Sequence, residues 1–173
     1  MYDGHLKVAD FRPRIGPTSN GQGLRRAIGW IGMSNVSPCP LQPSTLSTPS
    51  RVWVVDDDAL LCRALRRLLL EFGFDVETFG SGEEVLAVEP SHWPDCLVVD
   101  IRLGTIGGFD LHGRLRTAGL RSPIIFITGD TDDTLPPRAR RVGAAAFLRK
   151  PINDDDLVAA IENALALPRY PSP

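Results

Sequence analysis

Five short apolar runs, separated by stretches with helical spacing, constrain this chain more than any other feature. The runs are Val52-Trp53-Val54-Val55, Phe74–Phe79, Cys96-Leu97-Val98-Val99, Ile124-Ile125-Phe126-Ile127 and Ala145-Ala146-Phe147-Leu148. Most are continuous rather than alternating, as in parallel strands covered on both faces. After the first run, Leu61, Leu65, Leu68 and Phe72 recur at helical spacing, with Arg63, Arg66, Arg67 and Glu71 off that stripe and Gly73 as a stop. Ser81-Gly82-Glu83-Glu84 has capping-box spacing and opens a short helix that ends before Pro90. A third helix is expected near Gly108–Ala118. A fourth carries Leu135, Ala139 and Val142, and starts late, near Pro137, because a proline disfavours helical geometry in the residue before it. The last is capped by Asn153, has Asp154, Asp155 and Asp156 at its positive end, and presents Leu157, Ile161, Ala164 and Leu165 to the core. Five strands alternating with five helices predict an α/β fold, a doubly wound parallel sheet in the order 2-1-3-4-5.

The pattern begins only at Arg51. Residues 1–50 are rich in Gly, Pro and Ser, carry five basic and two acidic side chains, and show no sustained period. Such a segment buries too little apolar surface to offset its ordering entropy, so it reads as a disordered extension with a linker at Pro38–Ser50. Met33 is an alternative start of translation. The domain is expected over residues 51–167, with a short tail at 168–173. The net charge of −2 gives no global case for nucleic-acid binding. Cys39, Cys62 and Cys96 form no CxxC pair and read as reduced thiols of a cytoplasmic protein. His5, His92 and His112 lack metal-ligand spacing. No apolar run is long enough for a membrane span. The stretch after Arg25-Arg26 is too short and too glycine-rich for a twin-arginine export signal.

Ligands of open parallel sheets bind beyond the carboxyl ends of the strands. In the expected order, the ends of strands 1, 3, 4 and 5 bring Asp56-Asp57, Asp100, Thr128 and Lys150 to one cleft. At about 4 Å and an effective dielectric near 20, each carboxylate pair would repel by roughly 4 kcal/mol. A divalent cation and an ammonium group remove that cost. Mg²⁺ suits carboxylates that leave positions for water and phosphate oxygens. Phosphoryl transfer needs little beyond such positioning and charge neutralisation, and one carboxylate can be the nucleophile. Asp58 reads as a helix cap, and Cys62 and Cys96 as small buried hydrophobes. Taken singly, Thr128, Phe147 and Lys150 would be a strand-end hydroxyl, a core ring and a surface charge.

Val54-Val55-Asp56-Asp57, Val98-Val99-Asp100-Ile101-Arg102-Leu103, Ile127-Thr128-Gly129 and Leu148-Arg149-Lys150-Pro151 occur in the order and at the intervals of one family's motifs. From about Arg51 to Leu167 the chain resembles response-regulator receiver domains, the chemotaxis-regulator-like switches of two-component phosphorelays, which have a flavodoxin-like fold. The resemblance implies a phosphoacceptor at Asp100. It implies Mg²⁺ held by Asp56, Asp57, Asp100 and the backbone carbonyl of Arg102. It places Thr128 and Lys150 on the phosphoryl group, makes Thr128 and Phe147 the switch pair, and makes the Lys150–Pro151 peptide cis. Gly108 matches the family's glycine eight residues after the acceptor. Gly104 departs from the family, which usually has proline there, so this loop is expected to be more flexible.

The resemblance also implies a histidine kinase or phosphotransfer protein as phosphodonor and a downstream protein target as reader. Pro168–Pro173 is too short for a helix-turn-helix module, so a stand-alone receiver without specific DNA binding or membrane attachment is expected. It would not be an enzyme in the ordinary sense, since it would catalyse only its own phosphorylation and dephosphorylation. Three other readings stand beside this one, among them a regulator that has lost a DNA-binding output domain through truncation. A receiver can act as a phosphorylation-independent interaction module. Asp56-Asp57-Asp58 also contains the D-x-D of haloacid-dehalogenase-type phosphatases, although Leu60 replaces their Thr or Val and no second acidic strand end follows Lys150.

Overall fold

A computed structural model describes residues 48–166. The expected extension at 1–50 (apart from Thr48–Ser50), the alternative start Met33, Cys39, Leu167 and the tail at 168–173 lie outside the described residues. The strands are β1 Arg51–Val55, β2 Asp75–Phe79, β3 Cys96–Asp100, β4 Ile124–Thr128 and β5 Ala146–Arg149. They alternate with α1 Ala59–Glu71, α2 Gly82–Leu86, α3 Gly108–Thr117, α4 Leu135–Arg141 and α5 Asp154–Ala166. A single 3-10 turn at Pro90–His92 precedes β3. All strand pairs are parallel, in the order β2-β1-β3-β4-β5.

The unbroken apolar runs have a simple cause. Every residue of β3 and β4 is buried. Alternate residues face opposite layers, so period two is present but both faces are apolar. Val52, Val54, Val98, Ile125 and Ile127 pack with Leu65 and Leu69 of α1 and Leu157 and Ile161 of α5. Trp53, Val55, Leu97, Val99 and Phe126 pack with Val85 of α2, Leu111 and Leu115 of α3 and Ala139 of α4. Fully burying each large aliphatic side chain contributes about 1.5–3 kcal/mol. The edge strand β2 keeps Asp75 and Glu77 exposed while Val76 and Phe79 are buried. Edges of that kind resist pairing with other chains.

The caps follow the sequence. Asp58 Oδ1 accepts from the amides of Leu60 (2.8 Å) and Leu61 (3.2 Å) at the start of α1. Ser81 Oγ accepts from the Glu84 amide at 3.3 Å, while Glu84 Oε2 reaches back to the Gly80 amide at 3.0 Å. Asn153 Oδ1 caps α5 through the amides of Asp155 and Asp156. Gly73, at φ +85°, turns the chain out of α1, and the following amide, from Phe74, returns to the Leu69 carbonyl at 3.1 Å.

The structure departs from three expectations. The buried stripe of α1 is Cys62, Leu65 and Leu69, flanked by half-buried Leu61 and Leu68. Phe72 is 51% exposed because it lies past the last helical turn. The unbroken Leu68-Leu69-Leu70 leaves the phase of this helix ambiguous by one residue. In α4 the helix does not start late. It begins at Leu135, with Pro136 and Pro137 inside its first turn. Amides there have no acceptor within the helix, so proline loses no hydrogen bond and its fixed φ suits the position. Val142, expected on the core stripe of α4, is 36% exposed at the C-cap.

Candidate functional site

The register of the sheet builds the site. Val55 pairs with Val99 in β1 and β3, and Asp100 pairs with Ile127 in β3 and β4. Asp56 and Asp100 therefore emerge on adjacent strands, with Thr128 and Lys150 beyond them. Among the described residues the buried polar or charged groups are Asp56, Asp100, Thr128 and His112, and the first three sit at this one end of the sheet.

Lys150 ties the two buried carboxylates together. Its Nζ donates to Asp56 Oδ2 at 2.6 Å and to Asp100 Oδ2 at 3.0 Å. The other oxygen of each is also held. The Asp58 amide donates to Asp56 Oδ1 at 2.9 Å, and the Arg102 amide donates to Asp100 Oδ1 at 3.2 Å. Asp57 is exposed at the mouth of the cleft. One carboxylate oxygen from each of Asp56, Asp57 and Asp100 lies within 4.8 Å of the others. Burial pushes the Asp100 carboxyl above the ordinary range; the bonds from Lys150 and the Arg102 amide oppose that rise, and Asp56 adds to it. Burial pulls the Lys150 ammonium down, but its bonds to Asp56 and Asp100 prevail and hold it above its usual value. Three carboxylates and one ammonium leave the cleft with formal charge −2.

Thr128 is fully buried, and its Oγ1 accepts from the Asp130 amide at 3.1 Å. Phe147 is half-buried and packs against the cluster that contains Phe126, its register partner. The Lys150–Pro151 peptide is cis. Gly108 is at 108 for a steric reason. A Cβ there would lie 2.3 Å from the Asp100 carbonyl oxygen, and the Gly108 amide donates to the Ile101 carbonyl at 2.9 Å. Around Gly104 a Cβ would meet nothing.

Some residues around the cleft carry no signal in the sequence. The Arg102 side chain pairs with Asp130, and this holds the Asp130 carboxyl below its ordinary range. Arg149 donates to the Asp130 carbonyl at 2.7 Å and to Asp133 Oδ1 at 3.0 Å. Arg102, Asp130 and Asp133 sit on loops without periodicity and Arg149 is the last residue of β5, so only their closeness to Asp100, Thr128 and Lys150 along the chain points to them. Leu60 stands 71% exposed on the first turn of α1. His112 is buried away from the cleft, and its Nε2 is 3.2 Å from Arg116 Nε. Asp58, the second aspartate of the D-x-D, is occupied as a helix cap. Cys62 and Cys96 are buried free thiols. Among the described residues no helix is long and apolar enough to cross a membrane.

The model of the response regulator receiver domain matches residues 52–162. Nodulation protein W of Bradyrhizobium diazoefficiens is 39% identical over 115 residues, which is 66% of this chain and 51% of that protein. The transcriptional regulatory protein FixJ of the same organism is 35% identical over 120 residues, 69% of this chain and 58% of that one. The chain thus spans little more than half the length of these relatives. Among solved structures, a response regulator receiver protein from Burkholderia phymatum is 38% identical, with TM-score 0.61, over 70% of this chain and 99% of the other. A CheY-like receiver domain protein from Methanospirillum hungatei has TM-score 0.64 at 25% identity, over 68% and 94%. The strand order, the converging strand ends and the match across residues 52–162 together place this chain in the response regulator receiver domain family of two-component signalling.

Proposed function

We propose that this receiver accepts one phosphoryl group on Asp100, from a histidine kinase or a phosphotransfer protein, and passes its state on through a protein contact. The observation that carries this reading is the pair of hydrogen bonds that Lys150 Nζ donates to Asp56 and Asp100, at 2.6 and 3.0 Å. It fixes a buried carboxylate beside a neutralising cation before any donor arrives, and phosphoryl transfer depends mainly on such positioning. An Asp100 oxygen forms the new P–O bond as the donor's P–N bond breaks, and the bonding pair leaves with the imidazole. Lys150 stays beside the carboxylate to balance the charge of the resulting acyl phosphate.

The donor set fits Mg²⁺, since hard carboxylate oxygens converge with excess negative charge. Asp56, Asp57, Asp100 and the backbone carbonyl of Arg102 would hold the ion, which when bound would neutralise phosphoryl oxygens. Thr128 would exchange the Asp130 amide for a phosphoryl oxygen, and Phe147 would turn into the space released. The reading face is then α4, β5 and α5, where Phe147 sits half-buried. Exposed Leu60 beside the acidic pair offers apolar surface to the phosphodonor. The buried free thiols Cys62 and Cys96 suit a cytoplasmic protein. The DNA-binding transcriptional regulator NtrC of Salmonella typhimurium is matched over only 24% of its length, so its DNA binding is not carried over to this chain.

The test is intact-mass analysis with acetyl phosphate. Wild type should gain one phosphoryl group in Mg²⁺, none in chelator, and Asp100→Asn none. Continuous phosphate release without a covalent adduct would favour the phosphatase reading. Unlabelled wild type that still binds its partner would favour the phosphorylation-independent module.

A further inference from the structure

Asp130, the second residue after Thr128, is held at every polar atom it possesses. Its amide donates to Thr128 Oγ1 at 3.1 Å, and its carbonyl accepts from Arg149 Nη1 at 2.7 Å. Its Oδ1 accepts from the Asp132 amide at 3.0 Å. Its Oδ2 accepts from Arg102 through Nε at 3.0 Å and also through Nη2. Arg149 continues the chain of contacts to Asp133 Oδ1 at 3.0 Å. Three segments are joined in this way: the loop after β3, the loop after β4 and the end of β5. The Asp130 side chain is only 19% exposed, whereas that of Arg102 is 75% exposed. The acid is therefore the fixed partner and the arginine the part that can leave.

The hydroxyl that Asp130 engages is the one expected to move. Thr128 cannot carry its oxygen toward Asp100 while that oxygen accepts from the Asp130 amide, and that amide cannot follow while Arg102 and Arg149 pin its own residue. We propose that the Arg102–Asp130–Arg149 contacts are an ionic brace that holds the loop after β4 in its resting position, so that the brace must open before Thr128 can reach a phosphoryl oxygen. This rests on Asp100 as the acceptor. It adds a resting-state restraint to that reading, in residues that hold neither metal nor phosphoryl group through their side chains. A conformation that must be left before the product state forms lowers the apparent reactivity by its population, and removing the restraint recovers that factor.

Arg102→Gln and Asp130→Asn test the brace, because they change charge in opposite directions. Both keep a side chain of similar size, and the carboxamide introduced by Asp130→Asn retains an oxygen for the Asp132 amide. Two quantities are followed in wild type, each variant and the double variant: hydrogen exchange of the amides at positions 130 and 132 without phosphodonor, and the rate at which acetyl phosphate labels Asp100. The brace predicts that both single variants raise both quantities, by about three- to ten-fold, and that the double variant goes no further than the singles because the same contact is cut. Simple steering of the anionic donor predicts faster labelling in Asp130→Asn and slower labelling in Arg102→Gln, and that result would overturn the brace. Unchanged amide exchange would overturn it too, as would faster exchange without faster labelling. Wild type that takes no label sinks the acceptor reading, and the gating role falls with it. Labelled wild type with indifferent variants sinks the brace alone.

Discussion

The two ends of the sheet are built from the same residue types and do opposite things with them. At the amino end, Arg51, Asp75 and Asp95 surround the start of β1. Arg51 Nε pairs with Asp75 at 3.4 Å with both side chains well exposed, and the Arg51 amide is capped by Asp95 at 2.9 Å. At the carboxyl end, Asp56 and Asp100 are withdrawn from water and share one lysine. Exposed pairs are screened by solvent and contribute at most about 1 kcal/mol. Buried charges have lost their hydration and must be compensated by neighbours. The amino end therefore finishes strands. The carboxyl end concentrates unfavourable electrostatics in one cleft, which a fold retains only where the charges serve a function.

The largest effect that should separate the ends comes from packing. Gly108→Ala puts a methyl group 2.3 Å from the Asp100 carbonyl oxygen, so α3 or β3 must move, at a cost of about 3 kcal/mol. Chemical denaturation should show that loss. A loss below about 0.5 kcal/mol would mean that α3 does not position Asp100.

Next is the sign of Asp100's own contribution. Burial disfavours the ionised Asp100 carboxylate, and Asp56 adds to this. Asp100→Asn should therefore stabilise the metal-free protein at neutral pH by on the order of 1 kcal/mol. The gain should fade as pH falls and the native carboxyl takes up its proton. A clear loss of stability at neutral pH would show that the cleft is a stabilising ion cluster like any other.

The smallest effects compare caps with exposed pairs. Asp58→Ala removes the acceptor for two amides at the start of α1 and should cost about 1 kcal/mol. Asp75→Ala, at the opposite end, should stay within about 0.5 kcal/mol. Equal losses in thermal melts would erase the distinction between the two ends.

What the sequence makes legible follows the same divide. The strands are readable because two covered faces leave continuous apolar runs, as in Ile124-Ile125-Phe126-Ile127. The strand-end residues are readable because parallel strands must all point their carboxyl ends one way, so Asp56, Asp100, Thr128 and Lys150 have to meet. Helix phase is readable only where apolar residues are sparse. In α1, Leu68-Leu69-Leu70 lets the stripe slip by one, and the buried member is Leu69. The start of α4 is misplaced from sequence because the cost of proline to its preceding residue is weighed without the free amides of a first turn. The pairing of Arg102 with Asp130 is invisible: the two lie 28 residues apart on loops, and only the folded sheet brings them together.

The buried carboxylate of β3, Asp100, and no other acid of the cleft, is expected to become the acyl phosphate. Borohydride reduction converts an aspartyl phosphate into homoserine and leaves free carboxylates unchanged. After treatment with acetyl phosphate and Mg²⁺, reduction and peptide mass spectrometry should find homoserine at position 100 alone. Homoserine in place of Asp56 or Asp57, or at no position in a protein that had gained phosphate, would rule out Asp100 as the acceptor.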